Sequence, residues 1–175
     1  MQLRNIFFVM LILSLISCQS KKAAGLKITL EEKGRAVFNI MVGKNGHNER
    51  KLKCLINGDF HCAQQAINEE EQAFNKIIKE INALQTDHIK HGDELKAATI
   101  NYYEAVKALE ISDRLDIAQQ QISQDKANTR EVRDAAIQKH SQLLKSSVEL
   151  HKVIRKKEQL LAEAQKQYNL NNHLD

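Results

Sequence analysis

Apolar residues recur every seven positions along most of the chain after Ala63. A second apolar series lies three residues after the first, which is the spacing at which a helix places two rows of side chains on one face. The pattern predicts amphipathic, coiled-coil-like helices. The first series is Ile67, Phe74, Ile81, His88, Leu95, Tyr102 and Leu109, and the second is Ile77, Leu84, Ala98 and Ala105.

Two places interrupt the pattern. His88 and His91 break it just before Gly92-Asp93, which predicts either one helix with a polar break or two helices that meet there, with Asp93 capping the second. The periodicity lapses again over residues 123–129, which predicts a turn.

The last helix is expected over about Arg130 to Tyr168, followed by a polar, frayed tail at 169–175. Two long antiparallel helices packed along their apolar faces are the simplest way to bury both faces. The last helix carries Val132, Ala136, Leu143, Leu150, Ile154, Leu161 and Tyr168 on its apolar face. The residues expected to pack are Phe74, Ile77, Ile81 and Leu84, together with Leu143, Leu150 and Ile154.

Residues 26–46 allow two interpretations. Thr29 and Glu32 fit a capping box, with a helix that Gly43 or Gly46 ends. Alternation of apolar residues from Leu26 and a turn at 33–34 fit a β-hairpin instead. The helix is favoured because the rest of the chain has a helical pattern.

The composition supports helices and excludes one class of partner. The segment 93–175 contains neither Gly nor Pro, the residues that break helices most strongly. The chain has 26 Lys and Arg against 22 Asp and Glu, a net charge of +4, and the two signs are interspersed. Nucleic-acid binding requires clustered basic residues, so no nucleic-acid partner is expected.

The N-terminus has the pattern of an export signal. Arg4 is the only charge before Cys18, and an apolar run from Ile6 to Leu13 follows it. This run is shorter than the roughly 20 apolar residues of a transmembrane helix. After Ser14, the chain continues with Leu15-Ile16-Ser17-Cys18.

These four residues resemble the lipobox of bacterial lipoproteins, which has an aliphatic residue, a small or aliphatic residue, a small residue and then cysteine. The resemblance implies that residues 1–17 are a signal peptide, removed before Cys18. It also implies that Cys18 carries acyl chains such as palmitate, which anchor the protein in a membrane. Gln19 in the next position favours the outer membrane. Residues 18–25 are then expected to form a solvated tether between the lipid and the fold.

With Cys18 acylated, the chain keeps two cysteines, Cys54 and Cys62. An even number in an exported protein predicts a disulfide. The two lie four residues on either side of Gly58, so a helical hairpin that turns at Asn57-Gly58 places them face to face. Free thiols or metal ligands are the alternative.

The sequence therefore predicts a mainly α protein. A small N-terminal helical region at 26–62 is pinned by the Cys54–Cys62 disulfide. A domain at 63–175 forms a long antiparallel helical hairpin or a three-helix, coiled-coil-like bundle.

Candidate catalytic chemistry is sparse. His88 and His91, and likewise His140 and His151, share helix faces, but a zinc site needs three or four converging ligands. The acidic run 69–71 is interpreted as a patch in the first turns of a helix, where negative charge suits the helix dipole, and not as a catalytic carboxylate set. No nucleophile motif or phosphate-binding loop occurs. No enzyme activity, cofactor, metal or small-molecule substrate is expected.

The expected function is that of a lipid-anchored, non-catalytic scaffold or protein-interaction component in the periplasm. Its partners are the membrane, through the lipid on Cys18, and either another envelope protein or a second copy that binds through the apolar helix faces. The alternatives are a surface-exposed lipoprotein that binds a host or neighbouring-cell ligand, or a plasmid- or phage-borne transfer or exclusion lipoprotein.

Overall fold

The computed structural model describes residues 2–44 and 46–174, with side chains from Lys21 onward. These residues form helices and no strands, which confirms the mainly α prediction. The helices are α1 (Gln2–Val42), α2 (His47–Ile56), α3 (Phe60–Asn82), α4 (Gly92–Gln124) and α5 (Arg130–Asn172).

The predicted antiparallel hairpin is formed by α4 and α5, which pack along most of their length. The turn lies within the predicted segment. The side-chain amide of Asn128 donates to the carbonyl of Ile122 at 3.0 Å, and the Thr129 hydroxyl accepts from the backbone N–H of Val132 at 3.4 Å. The Thr129 cap explains why α5 begins at Arg130.

The C-terminal tail differs from its prediction. Helix α5 continues to Asn172 instead of fraying after Tyr168. The side chain of Asn172 is buried and donates to the carbonyl of Lys90 at 2.8 Å. A long-range contact of this kind leaves no local signal in the sequence.

Two helices meet at the histidine break, as one of the two interpretations predicts. Helix α3 ends at Asn82 and α4 begins at Gly92. The predicted cap at Asp93 is wrong, because His91 occupies the N-cap position and Asp93 lies inside the first turn. The Asp93 carboxylate accepts a hydrogen bond from the hydroxyl of Thr86 in the preceding loop.

The region at 26–46 is helical, so the β-hairpin interpretation is wrong. The capping box is wrong too, since α1 begins well before Thr29 and the Thr29 hydroxyl donates to the Gly25 carbonyl at 2.9 Å. Residues 21–25, expected as a solvated tether, are also part of α1, and Ala23 is fully buried.

The hairpin of α2 and α3 brings Cys54 and Cys62 together, with their Cα atoms 5.6 Å apart at disulfide distance. Gly58 adopts a φ of +71° in the turn, a conformation that glycine adopts without strain. Asp59 caps α3, because its side chain accepts from the Cys62 amide at 2.9 Å.

The described residues contain two hydrophobic clusters, a large core and a small core. The large core joins α1, α3, α4 and the end of α5, and the small core joins α2, α3 and α4. Phe74, Ile77 and Ile81 are buried, as expected, while Leu84, Leu143, Leu150 and Ile154 are half-buried. The large core includes Leu26, Leu30, Val37, Phe74, Ile81, Leu95, Tyr103, Val106, Leu161 and Tyr168, and the small core is Cys54, Ala63, Ile67 and Ile117.

The signal peptide predicted at 1–17 and the predicted lipidation site at Cys18 lie outside the residues whose side chains are described. Within the described part of the chain, no helix combines the length and the apolar character needed to cross a bilayer.

Candidate functional site

A polar cleft of about 370 Å³ opens where α2, α4 and α5 meet. Lys51 of α2 lies at its wall with only 4% of its surface exposed. Its Nζ atom is 2.5 Å from Oδ2 of Asp113 and 3.6 Å from Oε2 of Glu110, both on α4. This ion-pair network joins α2 to α4.

Burial by itself would lower the pKa of Lys51. The hydrogen bond to Asp113 and the negative charges of Asp113, Glu110 and Glu70 outweigh that effect, so the pKa is raised. Lys51 is therefore held as an ammonium ion. It lacks the free amine that nucleophilic attack on a carbonyl requires.

Glu70 of α3 is fully buried beside this network. Among the described residues, neither of its carboxylate oxygens has a hydrogen-bond partner. Burial, and then the negative charge of Glu110, raise the pKa of Glu70 to about 7. Burial also raises the pKa of Glu110. The cluster thus holds more carboxyl groups than one ammonium can neutralise, and Glu70 takes up a proton near neutral pH.

The rim of the cleft carries further polar side chains. His140 of α5 pairs through Nδ1 with the carboxylate of Asp116, and His151 lines the opening. His88 and His91, the other predicted pair, lie far along the hairpin in the loop before α4. In the ranges that the structure describes, no group of three or more His, Cys, Asp or Glu has the arrangement of a metal site.

An apolar groove of about 240 Å³ lies between α4 and α5. Leu115, Leu143, Leu144 and Leu150 line it, and Asp113 and Asp116 lie in its wall next to the polar cleft. Leu115 is 59% exposed and Leu144 is 53% exposed. A polar cleft and an apolar groove therefore share one wall on this face of the hairpin.

The apolar surface continues along α5. We use the name α5 strip for Ile137, Leu144 and Val148, which are all more than half exposed. Their spacings of seven and four residues place them on the same side of the helix. The strip lies beside, and not on, the face that packs against α4. The predicted packing residues of α5 thus leave a second apolar surface uncovered.

The sequence interpretation missed the buried charges, although their spacing contained a signal. Glu70 lies three residues after Ile67 and four before Phe74, so it occupies an apolar position of the α3 face. Glu110 and Asp113, which are half-buried, lie in the same way between the buried Val106 and Ile117. The acidic run 69–71 was expected in the first turns of a helix, and that is wrong, because α3 begins at Phe60 and the run lies near its middle.

Comparison with known proteins finds no family model, no curated protein and no solved structure that matches this chain.

Proposed function

We propose that this protein is a lipid-anchored, non-catalytic component of the bacterial envelope that binds another envelope protein through the α5 strip and the adjoining groove. The lipobox that ends at Cys18 supports the anchor, and the cysteine pair at disulfide distance suits an exported protein. The membrane that holds it is the outer membrane, and the helices face the periplasm.

The observation that carries the proposal is the α5 strip itself. Single exposed apolar residues are ordinary, but an aligned set that adjoins an apolar groove is typical of an interaction surface. The partner that fits is an amphipathic helix, since its apolar side chains can enter the groove at helical spacing. The groove floor is formed by Leu143 and Leu150, which α4 covers only in part.

The fold also sets the distance between this surface and the lipid. The side chain of Tyr168 reaches Ala23, five residues after Cys18, so this end of α5 is near the proposed anchor. From Tyr168 back to Leu144, 24 residues of helix span about 36 Å. The hairpin thereby presents the α5 strip to partners well away from the bilayer surface.

Photocrosslinking in intact envelopes tests the binding surface. A photoreactive phenylalanine analogue at position 144 or 148 is expected to capture one and the same protein, identified by mass spectrometry. The matched control is Leu160, which is 52% exposed but lies on nearly the opposite side of α5. Capture of a second copy at 144 would assign the strip to self-association. No product at 144, or the same products at 144 and 160, would overturn the proposed surface.

Two measurements test the anchor and its orientation. The intact mass of the membrane-purified protein is expected to equal residues 18–175 plus acyl chains, and the Cys18→Ala variant is expected to lack them. Digestion of the protein by protease added to intact cells would contradict the periplasmic location and favour the surface-exposed alternative.

A further inference from the structure

Three segments that are distant in sequence meet at one end of the bundle. The Tyr168 hydroxyl donates to the Ala23 carbonyl at 2.7 Å, and the Asn172 amide donates to the Lys90 carbonyl at 2.8 Å. A pocket of about 390 Å³ between α1 and the loop before α4 includes Leu26 and Ile89. We call this part of the molecule the proximal end, formed by residues 21–23, 87–91 and 170–174.

We propose that the proximal end rests on the lipid headgroups of the membrane that holds Cys18, so that the bundle is seated on the bilayer and not suspended from it. The inference rests on the lipid anchor proposed above and goes beyond it. It names a protein surface that contacts phospholipid in addition to the acyl chains.

Only a short segment of chain separates the proposed anchor from the bundle. Residues 18–23 belong to α1, so Cys18 and Ala23 are separated by about 7.5 Å along the helix axis. Ala23 is fully buried and Tyr168 binds its carbonyl. This short helical segment therefore holds the bundle close to the anchor.

The headgroup layer of a bilayer is thin. A bilayer of about 40–45 Å has a hydrocarbon core of about 30 Å, which leaves roughly 5–8 Å for the headgroups on each side. That layer is as thick as the distance from Cys18 to Ala23. Helix α5 runs antiparallel to α1 and continues for a full turn past Tyr168, so its end reaches the level of the headgroups.

The proximal end carries basic and apolar side chains that suit a membrane surface. Lys21, Lys22 and Lys90 are exposed there and can bind lipid phosphates. Leu170 is 62% exposed and can enter the interfacial layer. Asp87 is exposed in the same loop, which offsets one of the lysines. The position of the anchor and the apolar contact therefore determine the seating more than the net charge does.

Tryptophan fluorescence tests the inference cleanly, because the chain contains no tryptophan. The acylated Leu170→Trp protein would be reconstituted into vesicles of phosphatidylethanolamine and phosphatidylglycerol that contain a lipid spin-labelled at the headgroup. The control is Ile56→Trp, at a position that is 83% exposed beside the turn between α2 and α3. From Phe60 to Asn82, α3 spans about 33 Å, which separates this turn from the proximal end.

We expect the spin label to quench the emission of the Leu170→Trp protein several-fold more than that of the Ile56→Trp protein. The emission spectrum of the Leu170→Trp protein should also shift to shorter wavelength when the vesicles are added. Equal quenching of the two variants would mean that the bundle lies flat, and no quenching of the Leu170→Trp protein would mean that the proximal end is held away from the bilayer. Either result overturns the inference while the anchor stands.

A separate measurement distinguishes failure of the inference from failure of the anchor. An unacylated mass for the membrane-purified protein would overturn the proposed anchor itself, and the inference with it.

Discussion

The hydroxyl of Tyr168 donates a 2.7 Å hydrogen bond to the backbone carbonyl of Ala23, 145 residues earlier in the chain. Both residues are fully buried. Around them, Leu26 of α1 and Leu161 of α5 belong to the same large core. This contact closes the bundle, because it fixes the last helix to the first.

Removing the Tyr168 hydroxyl should weaken this closure without emptying the core. We expect Tyr168→Phe to lower the free energy of unfolding by about 1 kcal/mol, the usual net contribution of a buried hydrogen bond. Tyr168→Ala should lower it by about 3–5 kcal/mol, because it also leaves a cavity. Urea unfolding followed by circular dichroism measures both. Equal losses of unfolding free energy for the two substitutions would mean that the aromatic ring of Tyr168 adds nothing to stability beyond its hydroxyl.

Lys51 should be far more important for stability than an exposed lysine. Lys51→Met leaves Glu110 and Asp113 without their buried counter-charge, and we expect a loss of about 3–5 kcal/mol in the free energy of unfolding. Lys152→Met is the control, since Lys152 is 58% exposed and pairs with Glu149 on the same helix at 2.7 Å. Its effect should stay within about 0.5 kcal/mol. A loss for Lys51→Met as small as the loss for Lys152→Met would show that the network is not stabilising.

Glu70 should make the protein less stable as the pH rises toward neutrality. Its pKa is about 7 in the folded protein and near 4.5 when exposed, so the folded state binds the extra proton between these values. Above pH 7, Glu70 has lost its proton in both the folded and the unfolded protein. It then no longer makes the free energy of unfolding depend on pH.

The variant Glu70→Gln isolates this effect. Between about pH 4.5 and pH 7 we expect the free energy of unfolding of the unaltered protein to fall by up to about 3 kcal/mol more than that of the variant. Glu69 and Glu80 have lowered pKa values, so the stability that they contribute is lost only below about pH 4.5 as the pH falls. Parallel pH profiles for the two proteins, from urea unfolding, would exclude Glu70 as the source.

The Cys54–Cys62 pair should stabilise the hairpin of α2 and α3. Replacing both cysteines by alanine is expected to lower the free energy of unfolding by roughly 2–3 kcal/mol, since the loop that they close is short. Thermal unfolding of the variant and of the unaltered protein under reducing conditions should then give similar midpoints. Unchanged stability on reduction would indicate that the bond does not form.

Local periodicity was enough to predict most of the helices. The heptads identified α3 and α4, and the lapse before Thr129 located the start of α5 to the residue. Contacts between distant segments were not predictable in this way. Ala23 and Asn172 look like solvated residues in sequence, and only their partners Tyr168 and Lys90 explain their burial.

The buried charges show a second limit of sequence interpretation. Glu70 and Lys51 belong to residue types that are almost always exposed, so the sequence interpretation did not count them among the core residues. The apolar groove was missed for a related reason. The pattern shows which side chains of α5 are apolar, but it does not show that α4 covers Leu143 while Leu144 stays open.

The contact between Ala23 and Tyr168 also sets an order of events during biosynthesis. Because Ala23 is synthesised long before Tyr168, α1 cannot form its contact with Tyr168 until the last helix has emerged from the ribosome. If Cys18 is acylated during export, the lipid is therefore attached to a chain whose bundle is still open. Leu26 and Leu30 are therefore among the first residues of the large core to be synthesised, and the contact that closes the core beside them forms only after Tyr168 has emerged.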